Sequence, residues 1–252
     1  MLGKYCYWSI GTGPYQQELQ ECIKSARAVG VWTDFHVFCD TEIKLPNVDC
    51  YETGKFVAEG GMFILYHLVN AVEKLHYDYF IWLDADTRFI GRPNHILANL
   101  HHAPLHVPLY GPLQLNLRSS KLSPTPMEYK ALDVARERHG HLGYAASDRF
   151  WIISRGAIKQ VEDLVREGNN EWHKRGRFDY TLAQGLARAM LFLCSNPDAH
   201  TVEQNPDTWA DATLGKLSED KLCWNNPLTK LSRETAPCIV HVGSKHKEYS
   251  AS

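Results

Sequence analysis

The sequence predicts an α/β fold in which a mixed sheet is flanked by helices. One observation is the order of elements at the start of the chain, where a strand at Lys4–Ile10 leads through a turn and a helix at Tyr15–Val29 to a strand at Asp34–Asp40. That order is typical of a βαβ unit. A second observation is the nearly all-apolar run Tyr77–Leu83, as expected of a strand that is covered on both faces.

These elements follow from residue type and spacing. Lys4–Ile10 is short and aromatic, and it ends at the turn-forming run Gly11–Pro14, which favours a strand that stops there. The next segment is predicted as a helix because its apolar residues recur at helical spacing. Those residues are Leu19, Cys22, Ile23 and Ala26.

The rest of the chain continues the alternation less regularly. Further helices are predicted at Gly61–Leu75, Asp133–His141, Ala157–Glu167 and Asp179–Phe192, and further strands at Phe150–Ser154 and Cys238–Val242. Two segments, Pro93–Pro126 and Asn196–Trp224, are interpreted as irregular because turn-forming and polar residues dominate them.

Composition limits the classes of function. The chain has 252 residues and a net charge of −2, which suits one large domain and disfavours a general nucleic-acid binder. No apolar run approaches the ~20 residues of a membrane span, and no signal peptide is recognised. We therefore expect a soluble, cytoplasmic protein. Seven cysteines without a C-x-x-C pair predict neither a disulfide framework nor a zinc knuckle.

The strongest chemical signal is the run Asp84-Ala85-Asp86 directly after the predicted strand Tyr77–Leu83. Ligands of open α/β sheets bind beyond the carboxyl ends of the strands. Carboxylates are preferred ligands of Mg²⁺ and Mn²⁺, which are commonly shared with substrate phosphates. A solvated turn with capping aspartates is the plain alternative, but the buried strand before it favours a metal site.

The segment Tyr79–Ile90, an apolar strand followed by D-x-D-T and a second apolar stretch, resembles the metal-binding segment of glycogenin and of glycosyltransferase family 8. The resemblance implies a Rossmann-like GT-A fold of the nucleotide-diphospho-sugar transferase type. It also implies an enzyme that uses Mn²⁺ or Mg²⁺ to move a hexose from a nucleoside-diphosphate sugar, a UDP-sugar, to an acceptor hydroxyl.

Three more segments resemble the same family in the same order. Ser9–Tyr15 is similar to the first strand-to-helix loop, which implies that the uridine contacts Ser9, Ile10, Gly11, Thr12 and Tyr15. Phe178-Asp179-Tyr180 is similar to the motif whose aspartate meets the donor sugar, although Tyr180 replaces a glutamine.

The third segment, Ile239–Lys247, resembles the family's C-terminal H-x-x-G-x-x-K. The resemblance implies that His241 completes the metal shell and that Lys245 or Lys247 meets the diphosphate. Glycine follows His241 after two residues rather than three, whereas Lys247 keeps the family spacing. Ser147–Trp151 takes the place of another family motif, and its Asp148 is a candidate to bind sugar hydroxyls or act as a base.

The predicted organisation is one domain, 1–252, with residues 1–90 binding the nucleotide and residues 91–252 binding sugar and acceptor. Retention of configuration is favoured by the resemblance, and inversion stays open because one fold hosts both outcomes. A sugar-phosphate nucleotidyltransferase is disfavoured, since Gly11–Pro14 lacks basic residues, and a non-catalytic sugar-binding module is the third reading. The acceptor, whether glycan, protein or small molecule, is not indicated.

Overall fold

The computed structural model of the chain forms two compact units. Its described residues are 3–52, 68–93, 105–107, 109–112, 144–146, 149–159, 162, 166, 202–203, 209–211, 215–218, 221–225, 232–235 and 238–243. The first unit comprises residues 1–57, 80–101 and 204–252, and the second comprises 58–79 and 102–203. Assignment of the two halves 1–90 and 91–252 to nucleotide and acceptor stays a prediction.

The first unit contains parallel strands that begin the predicted α/β pattern. Strands β1 (Tyr5–Gly11), β2 (Phe35–Cys39) and β3 (Val48–Glu52) are joined in parallel, and β4 (Tyr79–Leu83) lies beside β1. Gly11 pairs with Cys39, so β1 and β2 end at the same level. The sequence analysis did not predict β3, which is short and carries charged residues at two of its five positions.

Helix α1 (Tyr15–Ala28) packs against β1 with the residues that its spacing predicts. The apolar residues Leu19, Cys22, Ile23 and Ala26 are buried. A Cβ atom at Gly11 would lie 2.6 Å from Leu19 Cβ and 2.7 Å from Tyr15 O. Strand and helix therefore approach at a distance that only glycine permits.

Aromatic side chains fill both faces of this sheet. Under α1, Tyr7 stacks on Phe35 with ring centroids 4.7 Å apart, and Phe89 meets Tyr7 edge-on at 5.4 Å. On the other face Trp8 meets Phe38 at 5.2 Å, and His36 lies beside Trp8. Burial lowers the pKa of His36, so this imidazole packs as a neutral ring.

Two smaller sheets complete the described part of the first unit. Their strands are β5 (Thr87–Phe89), β11 (Trp209–Asp211), β12 (Gly215–Ser218), β13 (Lys221–Asn225), β14 (Ser232–Thr235) and β15 (Ile239–His241). One sheet has the order β11-β15-β5, and the other is antiparallel with the order β12-β13-β14. The predicted strand Cys238–Val242 thus corresponds to β15.

The second unit holds the remaining strands, β6 (Leu105–Val107), β7 (Leu109–Pro112), β8 (Tyr144–Ala146), β9 (Phe150–Ser154) and β10 (Val202–Glu203). Their orders are β10-β6-β9 and β7-β8. The predicted strand Phe150–Ser154 is confirmed. After it, Arg155 donates its guanidinium N–H groups to Tyr77 O at 2.8 Å, Val72 O at 2.6 Å and Leu75 O, and so fixes the start of a helical segment at 155–159.

Several predictions of local structure are wrong in part. Two segments that the sequence analysis interprets as irregular contain strands. Pro93–Pro126 contains β6 and β7, and Asn196–Trp224 contains β10, β11, β12 and most of β13. These strands are short, and ladder hydrogen bonds define them rather than apolar alternation. The described part of the predicted helix Gly61–Leu75 is helical only over 68–71, and the helix predicted from Ala157 begins at 155. Predicted helices at 133–141 and 179–192 lie outside the described residues.

Gly11 offers a test of the contact between α1 and β1. We expect Gly11→Ala to lower the free energy of unfolding by about 1–3 kcal/mol, because the added methyl group overpacks a closely packed site. Chemical denaturation measures the change. Gly156→Ala is the control, since its nearest neighbouring atom lies 4.0 Å from an added Cβ; equal effects of the two substitutions would contradict the close approach.

Candidate metal centre

Asp84, Ala85 and Asp86 form the turn between β4 and β5. They follow the carboxyl end of a buried strand, as the sequence analysis predicts. The side chain of Asp86 is only 11% exposed and that of Asp84 is 30% exposed, while Ala85 is buried. One carboxylate is therefore almost enclosed, and the other partly faces solvent.

Strand pairing brings His241 to these aspartates across the sequence. β15 runs antiparallel to β5, with His241 opposite Thr87 and Ile239 opposite Phe89. Beyond the strand, the backbone N–H of Val242 donates to Asp86 O at 2.9 Å. The ladder thus holds a buried imidazole directly over the Asp-x-Asp turn.

The three side chains converge on one point. His241 Nε2 lies 3.0 Å from Asp86 Oδ1 and 3.7 Å from Asp84 Oδ2. One ligand atom from each residue lies within 4.8 Å of the other two. In an octahedral ion with bonds of about 2.1 Å, ligands are roughly 3.0 Å apart when adjacent and roughly 4.2 Å when opposite. Small side-chain adjustments would let this group hold a divalent cation.

Helix α1 supports the turn from below through β5. Arg88 pairs with Glu18 at 2.5 Å between Nη2 and Oε2, and it also donates to Glu18 O at 3.3 Å. The backbone N–H of Phe89 donates to Ser25 Oγ at 2.9 Å. These bonds restrain β5, the strand that directly follows the aspartates.

Cys22 is a buried residue of α1 near the same turn, and it is not a candidate ligand. Burial raises the pKa of its thiol to about 12, while Arg88 opposes the rise and the carboxylates of Asp86 and Asp84 add to it. Metal ions bind the thiolate, so a thiol held in its neutral form packs as part of the core.

The segment Ser9–Tyr15, predicted to contact uridine, is placed only partly in a loop. Ser9, Ile10 and Gly11 are the last residues of β1, and the loop starts at Thr12. Ser9 is fully buried and donates its hydroxyl proton to Leu83 O at 2.7 Å. Its side chain therefore ties β1 to the strand end before Asp84, whereas Tyr15 is 48% exposed. Contacts of these residues with a nucleotide stay predictions.

Gln16 and Asp40, which the sequence analysis did not single out, shape this loop. Gly13 has a φ of +54° and donates its N–H to Asp40 Oδ2 at 2.5 Å. Gln16 accepts the N–H of Asp40 at 2.9 Å and donates to Thr41 O at 2.9 Å. Asp40 follows the carboxyl end of β2, so the rule that identified Asp84 could have identified it too.

Thr87 is a third residue that the sequence analysis did not single out. It is fully buried opposite His241, and its hydroxyl has no hydrogen-bond partner among the described residues. By contrast, Asp148, Asp179, Lys245 and Lys247 lie outside the described residues, so their roles stay predictions.

Comparison with known proteins gives a structural match but no sequence family. No protein-family model matches the chain, and no curated protein matches its sequence significantly. Among solved structures, the chain is similar to the crystal structure of mouse xyloside xylosyltransferase 1 in its apo form. The TM-score is 0.52 at 10% identity, covering 96% of this chain and 99% of that chain.

At this identity the similarity shows the fold, so the predicted α/β architecture of the GT-A type is confirmed. A specific relationship to glycogenin or family 8 stays a prediction. Over the described residues, the structure contains no helix that is both long and apolar enough to cross a membrane.

Metal binding can be tested without knowledge of the reaction. We expect Mn²⁺ at a hundredfold excess over Kd to stabilise the protein by roughly 2.7 kcal/mol, which is about 5–10 °C in Tm for a chain of this size. Asp86→Asn and His241→Ala should weaken Mn²⁺ binding at least tenfold by calorimetric titration. Glu42→Gln, an exposed carboxylate change, is the control. Unaltered binding by Asp86→Asn would exclude this site.

Proposed function

We propose that this chain is a metal-dependent glycosyltransferase that moves a hexose from a nucleoside-diphosphate sugar, a UDP-sugar, to an acceptor hydroxyl with retention of configuration. The observation that carries the proposal is the convergence of Asp84, Asp86 and His241 at a strand end of a GT-A fold. The confirmed fold alone does not define a function, because folds host many activities. The site supplies the chemical argument.

Charge explains why such a site suits a diphosphate leaving group. Two carboxylates at the turn would repel a nucleoside diphosphate unless a cation lay between them. When bound, a divalent cation there would neutralise the charge that develops on the diphosphate oxygens. In the transfer, the bond from the anomeric carbon to the diphosphate oxygen breaks and its electron pair stays on the diphosphate. A bond to the acceptor oxygen forms, and the acceptor proton passes to a base, a role proposed below for Asp148.

The donor set indicates the kind of ion. Two carboxylate oxygens suit Mg²⁺ and Mn²⁺ alike, and an imidazole nitrogen is better accepted by Mn²⁺ than by the harder Mg²⁺. We therefore propose Mn²⁺ as the preferred ion, with Mg²⁺ as a weaker substitute. The depth of His241, which is 4% exposed, limits access of competing water to its Nε2 atom.

The nucleotide is proposed to lie at the carboxyl ends of β1 and β2. Tyr15 offers an exposed ring at the start of α1, which could stack on a uracil base. Thr12 and Gly13 would bring the backbone close to the nucleotide, in a loop that Asp40 holds in place.

Three further roles are proposed for four residues outside the described part of the chain. Asp179 is proposed to meet the donor sugar, and Asp148 to bind sugar hydroxyls or act as a base. Lys245 or Lys247 is proposed to supply positive charge to the diphosphate, because two aspartates already offset one divalent cation.

The identity of the sugar is the finer part of the proposal. The similar solved structure is named as a xylosyltransferase, and xylose is a pentose, so UDP-xylose belongs in any donor panel beside UDP-hexoses. Proton NMR of the first-formed product distinguishes retention from inversion. Release of UDP from a UDP-sugar indicates a glycosyltransferase. Release of pyrophosphate from UTP and a sugar 1-phosphate indicates a sugar-phosphate nucleotidyltransferase.

One prediction of the proposed function concerns donor hydrolysis in the presence of Mn²⁺. We expect Asp86→Ala to lower the rate at least 100-fold, because it removes a ligand of the ion that balances leaving-group charge. Excess EDTA should have the same effect on the wild-type chain. Circular dichroism of the variant, with Glu42→Ala as control, shows whether folding is retained. Full hydrolysis in EDTA would exclude a metal-dependent transferase.

Another prediction of the proposed function concerns the nucleotide. With Mn²⁺ present, UDP should raise Tm more than ADP or GDP at equal concentration, and Tyr15→Ala should reduce the UDP effect more than Tyr15→Phe. The reason is that phenylalanine keeps a ring for stacking whereas alanine does not. Equal stabilisation by all three nucleotides would remove the uridine assignment and leave the transferase assignment intact.

A further inference from the structure

The first unit also contains a groove that is separate from the turn of Asp84 and Asp86. Its volume is about 320 Å³, and its walls include Tyr5, residues 30–33 and Arg92. Tyr5 and residues 30–33 lie at the amino ends of β1 and β2, whereas Asp84 and Asp86 follow the carboxyl end of β4. The volume lies at the lower end of the range for small-molecule sites.

Trp32 presents an exposed indole in this groove and is held there by its backbone. The residue is 56% exposed. The guanidinium of Arg27 lies 5.7 Å from its ring centroid and donates to the carbonyl oxygens on either side, Val31 O at 2.7 Å and Thr33 O at 3.1 Å. Asn47 donates to Trp32 O at 2.7 Å. The indole is thus presented by a fixed loop, which lowers the entropy that a ligand must overcome.

The same bonds leave the groove rich in donors. The carbonyl oxygens of Val31, Trp32 and Thr33 are already occupied as acceptors. The hydroxyl of Tyr5 accepts from Thr33 Oγ1 at 3.0 Å, so its own proton remains to donate. Arg92 is exposed and forms no hydrogen bond or ion pair with any described residue. The described residues that line the groove include no carboxylate. The donors of Tyr5 and Arg92 therefore favour a ligand that accepts hydrogen bonds, and preferably an anion.

The guanidinium of the exposed Arg92 lies against the backbone of Gly30. A Cβ atom added at Gly30 would collide with Arg92 Nη2, and Gly30 has a φ of +77°. Glycine at the end of α1 therefore provides both the left-handed turn and the space in which the guanidinium lies. A planar guanidinium in this position can bind a carboxylate or phosphate through two parallel hydrogen bonds.

We propose that this groove binds an acidic saccharide, a pyranose that carries a carboxylate or phosphate group. The apolar C–H face of the ring packs on Trp32, the anionic group pairs with Arg92, and a ring or hydroxyl oxygen accepts from Tyr5. A neutral sugar leaves the cation unpaired, and a bare anion leaves the indole uncovered. That the bound sugar belongs to the acceptor glycan rests on the proposed function; the binding itself does not.

The test uses the ¹⁵N-labelled full chain without metal or donor. Trp32→Phe identifies the indole N–H resonance of Trp32, which then reports titrations with methyl β-D-glucuronide, glucose 6-phosphate, methyl β-D-glucoside, sulfate and UMP. We expect a saturable shift with one or both acidic sugars and at least tenfold weaker binding of the glucoside and of sulfate. Arg92→Ala should weaken acidic-sugar binding at least tenfold and Arg92→Lys less, while Lys74→Ala, an exposed cation elsewhere, should change nothing.

The proposal is overturned by any of three results. These are the absence of a saturable shift with both acidic sugars, binding that Arg92→Ala leaves unchanged, and tighter binding of UMP than of either sugar. Asp86→Ala should bind the acidic sugar as the wild type does. If the wild-type chain hydrolyses the donor but does not bind the acidic sugar, the proposal for this groove alone is refuted. If it binds the acidic sugar but does not hydrolyse the donor, only the transferase proposal is refuted.

Discussion

The backbone N–H of Val242 donates to the carbonyl oxygen of Asp86, and this bond extends the antiparallel ladder between β15 and β5. Everything proposed for the metal centre depends on that ladder. It brings His241 to the aspartates, which are far from it in the sequence. Through β5 the ladder is also joined to α1, because Arg88 pairs with Glu18. Removing the pairing would leave two carboxylates on a turn and no third ligand.

Burial makes this arrangement costly as well as specific. A carboxylate as enclosed as that of Asp86 loses much of its hydration, and such a loss is offset only by a cation or by hydrogen-bond donors. His241 Nε2 lies 3.0 Å from Asp86 Oδ1 and can donate to this carboxylate when Nε2 carries a proton. The buried hydroxyl of Thr87, opposite His241, has no hydrogen-bond partner among the described residues and adds to the cost of burying polar groups here.

Apolar pattern made some elements predictable and left others hidden. β4 is a nearly continuous apolar run and α1 has one apolar face, so both elements were predicted from the sequence. The position of Asp84 at the carboxyl end of a strand was predicted with β4. β5 has only three residues, and β3 is interrupted by Asp49, so neither shows a strand pattern. These strands exist because a neighbour completes their hydrogen bonds. The proximity of His241 to Asp84 came from a family resemblance, since residue spacing alone could not foresee which strands would pair.

The distance in sequence between β5 and β15 also bears on how the chain folds. Contacts between segments so far apart close a long loop, and folding slows as such contacts increase. The metal centre should therefore be assembled late, after the local βαβ unit of β1, α1 and β2 has formed. An ion that binds only the assembled ligands would then slow unfolding, because it links the turn before β5 to β15 and must dissociate before the two segments separate. In that sense the same three side chains would serve kinetic stability as well as chemistry.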